Sequence, residues 1–156
     1  MRVLFVCTGN ICRSPLAEGI LRRQAAEAGV AIEIDSAGTG DWHVGDLPDR
    51  RAIQVGERRG CTMTMRARQV RKRDFQDFDL IVALDQSHFL HLTAMGGGLK
   101  EKVRLATSFD PLATGRDVPD PYYGVIEDFE DVAEMLEPAC AGIIAYALAN
   151  PARLDL

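Results

Sequence analysis

The segment that most restricts how this chain can fold is Val6-Cys7-Thr8-Gly9-Asn10-Ile11-Cys12-Arg13-Ser14-Pro15, which follows directly on the apolar run Val3-Leu4-Phe5-Val6. A continuous β-branched and aromatic run is the pattern of a strand covered on both faces, as in the middle of a parallel sheet. Ser14 is a good helix N-cap, and Pro15 suits a first helical position because its missing N–H would be unpaired there anyway. The segment therefore predicts a buried strand, a tight loop from Cys7 to Arg13, and a helix to about Ala28. Leu16, Ile20 and Leu21 form its apolar face and Gly29 its stop.

The rest of the chain alternates in the same way. Val30 to Ala37 reads as a second strand, ending in the turn-rich Gly38-Thr39-Gly40-Asp41, and a helix is predicted from about Asp49 to Arg59, between Pro48 and Gly60. Leu80 to Leu84 is a further buried strand, followed by a helix that must end by Gly96-Gly97-Gly98, and Val103 to Ala106 is a short fourth strand. After a polar loop from Asp110 to Gly124, the apolar residues Phe129, Val132, Ala133, Leu136, Cys140, Ile143, Ile144 and Ala147 recur at helical spacing, with Pro138 expected to kink or split that helix. Strands alternating with helices imply an α/β fold: a three-layer domain with a central four-stranded parallel sheet flanked by helices, and an anion loop after the first strand. At 156 residues one core, and so a single domain over 1–156, is expected.

A formal charge of −5 argues against a bulk nucleic-acid binder, although Arg66, Arg68, Arg71, Lys72 and Arg73 form one basic run. That run reads as a solvated face or as a contact for a phosphate-bearing partner, and the sequence does not choose. No stretch of about 18 apolar residues and no cationic leader is present, so a soluble cytoplasmic protein without membrane insertion is expected. Cys7, Cys12, Cys61 and Cys140 are too few and too unevenly spaced for a disulfide framework, which points to reduced thiols. His43, His88 and His91 form no ligand pattern with carboxylates, so no metal or other cofactor is expected; His88 and His91 read most simply as helix-surface residues.

A strand, a tight loop and a helix N-terminus turn successive backbone N–H groups toward one point and add the positive end of a helix dipole, which suits a tetrahedral dianion. Gly9 permits a positive φ, and Asn10 tolerates the left-handed region, so Thr8 to Cys12 can wrap a small anion while the Arg13 guanidinium closes over two of its oxygens. Cys7 lies at the base, where those N–H groups and Arg13 favour thiolate, a nucleophile, over thiol. The string GxxxxGK[ST] is absent, which argues against a nucleoside triphosphatase. Transfer of a phosphoryl group to Cys7 expels an alkoxide or phenoxide and calls for a general acid. Asp120, in Asp120-Pro121-Tyr122-Tyr123, is the strongest candidate, and Asp117 is its rival.

Four strings in order, "VCTGNICRSP", "DSAGTGDWHVG" (35–45), "ARQV" (67–70) and "DPYYG" (120–124), resemble the low-molecular-weight protein tyrosine phosphatases over nearly the whole chain. The resemblance implies hydrolysis of phosphotyrosine-type aryl phosphate monoesters through a cysteinyl-phosphate on Cys7. Arg13 and the loop N–H groups of Thr8, Gly9, Asn10, Ile11, Cys12 and Ser14 would bind phosphate, with Asp120 as acid and then base. It further implies that Asn10, Ser14 and Ser36 hold the loop in shape. Ile11, Trp42, Tyr122 and Tyr123 would line the substrate cleft, and Cys12 could form a reversible disulfide with Cys7. Without the resemblance, Trp42 reads equally well as a core residue and Ser36 as a turn residue. Met65 stands where many members have a histidine, which puts the loop-supporting hydrogen-bond network in doubt. The expected partner is a phosphotyrosine-containing protein or a small aryl phosphate, with no nucleic acid, and the chain is expected to be a monomer or to self-associate weakly.

Three other readings compete. Protein-arginine phosphatases of this fold have a threonine where this chain has Ile11. Arsenate reductases of similar fold carry a further cysteine pair after the third strand, and Asp85 to Gly98 has no cysteine, while Cys61 and Cys140 read as buried structural residues. A non-catalytic phosphopeptide-binding module would be expected to lose Cys7 or Asp120, and both are present.

Overall fold

The computed structural model describes residues 1–154, so Asp155 and Leu156, the last two residues of the expected 1–156 domain, lie outside the described residues. Strands β1 (Arg2–Cys7), β2 (Glu33–Gly38), β3 (Leu80–Ala83) and β4 (Val103–Leu105) form one parallel sheet in the order β2-β1-β3-β4. The helices are α1 (Arg13–Ala28), α2 (Arg50–Arg58), α3 (Asp74–Asp77), α4 (Gln86–Gly96) and α5 (Ile126–Ala149).

The continuous apolar run of β1 is explained by its two faces. Val3, Phe5 and Cys7 pack with Leu16 and Ile20 of α1, Val55 of α2 and Phe129, Val132 and Leu136 of α5. Leu4 and Val6 point the other way, toward Phe75 of α3, Leu92 of α4 and Ile81 of β3. With period-two alternation and helices on both sides, each side chain of the central strand is covered, giving three layers. The order β2-β1-β3 reverses direction beside β1, and the loop after Cys7 opens there, beyond the carboxyl ends of the strands.

Several boundaries differ from the sequence reading. β2 starts at Glu33 rather than Val30, because Gly29 (φ 67°) and Val30 still belong to the end of α1, where Val30 N–H donates to the Ala25 carbonyl. α1 starts two residues early, at Arg13, with Cys12 and not Ser14 at its N-cap. Pro138 does not split α5. Nine side chains of α5 are buried, and Gln24 of α1 donates to the Glu137 carbonyl at 2.9 Å beside the proline. That burial exceeds the roughly 3 kcal/mol an interior proline costs a helix. Among the described residues α5 is the one helix long and apolar enough, by composition, to cross a membrane, and its apolar face is spent on the core. The one-turn α3 and the 3₁₀ segments Gly97–Lys102, Ala106–Phe109 and Pro151–Arg153 are too short to leave a period in the sequence.

Candidate active site

Leaving β1, the backbone bends at Asn10, whose φ of 58° is the one positive value outside glycine among the described residues. Of the two residues expected to permit that conformation, Asn10 adopts it and Gly9 does not. It is small for a different reason, since a Cβ at Gly9 would lie 3.1 Å from His43 Cδ2. Asn10 is held there by its side chain: Nδ2 donates to the hydroxyls of Ser14 (2.7 Å) and Ser36 (3.0 Å), and Oδ1 accepts from the Arg68 N–H at 3.0 Å. Ser36 in turn donates to Glu18 Oε1 at 2.5 Å, and Glu18 pairs with Arg22 one turn along α1. Burial pushes the Glu18 carboxyl up, and the Ser36 hydrogen bond and Arg22 partly offset this.

The Ser14 hydroxyl stands 2.9 Å from Cys7 Sγ, which explains why it is not spent on capping α1. With Asn10 donating to its oxygen, the one Ser14 proton can go to the sulfur or to the Ala37 carbonyl, 3.4 Å away. Among the described residues, no protein acceptor takes the backbone N–H groups of Gly9, Asn10, Ile11, Cys12 or Arg13. Met65 contributes no polar contact and packs half-buried against the apolar core; Glu18 and the Arg68 N–H close the network without an imidazole.

Arg13 is buried, and its Nη1 donates to Asp85 Oδ2 at 2.7 Å and to the Val118 carbonyl at 2.9 Å. Nη2 is 3.5 Å from Thr8 Oγ1 and 3.9 Å from Asp120 Oδ2, so this edge faces the cleft. Asp85, the N-cap of α4, is pushed up by burial, but hydrogen bonds from Ser87, Arg13 and the His88 N–H more than reverse this and hold its pKa at about 2. His88 is not a surface residue. It is 2% exposed, with Nε2 2.8 Å from Thr8 Oγ1 and Nδ1 3.2 Å from Asp85 Oδ1. Burial, with the positive charge of Arg13, holds its pKa at about 4, which leaves a neutral ring at neutral pH. His91, one turn on, is exposed as expected.

Beside the loop lies an open cleft of about 250 Å³ whose lining includes Cys7, Ile11, Cys12 and Arg13. Trp42, His43, Asp120, Tyr122 and Tyr123 also line it. Trp42 is 71% exposed, so it belongs to the cleft wall and not the core; the Tyr122 and Tyr123 rings meet edge to face at 4.9 Å. Asp120 is half-exposed, and its Oδ1 accepts the Tyr122 N–H at 3.1 Å. The rival Asp117 lies outside the cleft lining and accepts the N–H of Gln86, the first residue of α4, at 2.9 Å. Burial, then Asp49, Cys7 and Asp120, push the Cys12 thiol well up, while Cys61 and Cys140 are buried away from the cleft. Among the described residues no cluster of three or more His, Cys, Asp or Glu suits a metal ion.

Every site residue expected from the sequence thus lies on the loop, in the cleft lining or in the hydrogen-bonded support beneath them. Asp85, His88, Glu18 and His43 were missed. Only Glu18 left a readable signal, as Ser14, Glu18 and Arg22 follow each other at i, i+4 spacing on α1. Of the basic run, Arg68 is committed to Asp35 and Asp74, and Arg71, Lys72 and Arg73 are exposed.

The model of the low molecular weight phosphotyrosine protein phosphatase family matches residues 2–152. A low molecular weight protein-tyrosine-phosphatase of Streptomyces coelicolor is 45% identical over 150 residues, 92% of each chain. The low molecular weight phosphotyrosine protein phosphatase of Sus scrofa is 39% identical over 147 residues, 91% of this chain and 92% of its own. A crystal structure of a protein tyrosine phosphatase from Entamoeba histolytica, with Hepes in its active site, superposes with a TM-score of 0.91 at 36% identity, covering 97% of this chain and 98% of that one. This chain belongs to the low molecular weight protein-tyrosine phosphatase family and is a phosphatase.

Proposed function

We propose that the protein hydrolyses aryl phosphate monoesters of the phosphotyrosine type, free or in a protein, by two in-line displacements on Cys7. The observation that carries this reading is the placement of the Asp120 carboxylate 3.9 Å from Arg13 Nη2, in a cleft it lines together with Cys7, Trp42, Tyr122 and Tyr123. The free loop N–H groups and Arg13 bind the phosphoryl oxygens. Cys7 Sγ attacks phosphorus, and Asp120 gives its proton to the departing phenolate. Asp120, now ionised, takes a proton from water, which attacks the cysteinyl-phosphate and releases inorganic phosphate and the Cys7 thiolate. The Ser14 hydroxyl supports that thiolate as nucleophile and as leaving group.

Aromatic walls and the aliphatic Ile11 favour a phenyl ring over the shorter phosphoserine and phosphothreonine side chains. Four free cysteines support a reducing, cytoplasmic setting. In that setting a peroxide converts Cys7 to the sulfenic acid, and attack by Cys12 sulfur with loss of water gives the protective disulfide.

The test is hydrolysis of para-nitrophenyl phosphate in the presence of chelator. The parent should turn over, Cys7→Ser should show nothing above background, and Asp120→Ala should lose much of kcat, less severely on this good leaving group than on phosphotyrosine. Activity that survives Cys7→Ser would sink the mechanism, and phosphate binding without turnover would make the chain a binding module.

A further inference from the structure

We propose that Arg51 is a positioning residue for the acid: it fixes Tyr122, and through Tyr122 it aims the Asp120 carboxylate over Cys7. The inference rests on the reading of Asp120 as general acid.

Arg51 is the second residue of α2, whose N-cap is Asp49. Its guanidinium uses four of its five N–H groups. Nε and Nη2 donate to Asp49 Oδ1 and Oδ2, both at 3.0 Å, while Nη2 also donates to the Tyr122 carbonyl at 2.9 Å and Nη1 to the Gly124 carbonyl at 2.8 Å. The plane rests on Phe129, with Cζ 4.4 Å from the ring centroid. A fork held by a carboxylate on one edge and a buried ring on one face has little freedom left to follow a moving loop.

The loop needs such an anchor. Among the described residues, the two bonds from Arg51 are the only hydrogen bonds that tie segment 119–124 to another part of the fold. Tyr122 is the link, because its carbonyl accepts from Arg51 while its N–H donates to Asp120 Oδ1 at 3.1 Å. The other end of the path reaches the nucleophile loop, since the Asp49 N–H donates to the Ile11 carbonyl at 2.7 Å. One continuous chain of bonds, Ile11 to Asp49 to Arg51 to Tyr122 to Asp120, therefore sets the acid against the phosphate cradle. Lysine could replace the charge and not the reach, having its donors on one atom.

An acid that is misaimed harms only reactions that need it, so leaving-group dependence separates positioning from general loss of structure. The experiment compares kcat/KM, which reports formation of the cysteinyl-phosphate, for phenyl phosphate and for 2,4-dinitrophenyl phosphate in the parent, Arg51→Met, Arg51→Lys, Asp120→Ala and the Asp120→Ala/Arg51→Met double variant. Arg51→Met should lose about 10- to 100-fold on phenyl phosphate and less than about threefold on the dinitrophenyl ester. Inhibition by inorganic phosphate should stay within about twofold, because the cradle is intact. Arg51→Lys should show the same pattern at smaller size, and it carries the comparison if Arg51→Met does not fold. In the double variant the loss on phenyl phosphate should not exceed that of Asp120→Ala alone. Equal losses on both esters, no loss on either, or multiplying losses in the double variant would overturn the role of Arg51 while leaving Asp120 as the acid. If Asp120→Ala itself were indifferent to the leaving group, the acid assignment would fall, and the role of Arg51 with it.

Discussion

Replacing Asp85 by asparagine removes the negative charge beside the buried Arg13 and keeps the shape of the side chain. Asp85 Oδ2 accepts a hydrogen bond from Arg13 Nη1 at 2.7 Å, and Oδ1 accepts from the Ser87 hydroxyl at 2.6 Å and from the His88 N–H at 3.1 Å. The fold lowers its pKa from the ordinary 3.8 to about 2. At about 1.4 kcal/mol per pH unit, that gap makes the charged form worth about 2 kcal/mol to the folded state. Because folding lowers the pKa of an acid, this stabilisation is complete above the unfolded value near pH 4 and is lost as the pH falls through about 2. Asp85→Asn should therefore be destabilised by about 2–3 kcal/mol at pH 7, a fall in Tm of about 4–12 °C, with Arg13 still held by the Val118 carbonyl. Urea denaturation of parent and variant at pH 7, 5 and 3 measures it, and the gap should shrink to about 1 kcal/mol at pH 3. A difference below about 0.5 kcal/mol at pH 7, or a gap that ignores pH, would refute the reasoning.

His88 titrates in a separate window. Its pKa is about 4 when folded and 6.5 ordinarily, so protons favour the unfolded chain; His88 should cost the parent about 2–3 kcal/mol of stability as pH falls from 7 toward 4, and His88→Gln should flatten that slope in denaturation curves. Asn10→Ala forces alanine to φ 58° and removes the partner of two buried hydroxyls and of the part-buried Arg68 N–H, so a loss of about 3 kcal/mol is expected, together with a fall in kcat; a loss under about 1 kcal/mol would mean that Ser14 and Arg68 find other partners. Gly142→Ala would place a Cβ 1.9 Å from the Phe109 carbonyl oxygen, so α5 must move away from the 3₁₀ turn, at more than about 2 kcal/mol by urea denaturation.

What could be read along the chain is what local rules govern. The β1 run, the loop between Cys7 and Arg13, the stop at Gly29 and the apolar stripe of α5 are all expressed within a few residues, through side-chain period and backbone freedom. The family's strings also placed Asp120 and the aromatic walls in one site, though 113 positions separate Cys7 from Asp120. Where local rules failed, a distant partner had decided. Ser14 looks like an N-cap until Cys7 and Asn10 claim its hydroxyl. Gly9 and Asn10 both look able to take the turn's positive φ until the side-chain bonds of Asn10 settle it there, leaving Gly9 to make room for His43. His88 looks like a helix-surface residue until the parallel order β1-β3 lays the start of α4 beside Thr8.

The sequence by itself determined the sheet, the loop after β1 and the place of Cys7 at its start, because a strand, a turn and a helix start are encoded by neighbours. Only the tertiary structure decided what holds these residues in place: Asp85 on Arg13, Glu18 on Ser36 and Arg51 on the loop that carries Asp120. Each of those bonds joins residues 18 to 73 positions apart, and no periodicity of the chain reports a contact made across the fold.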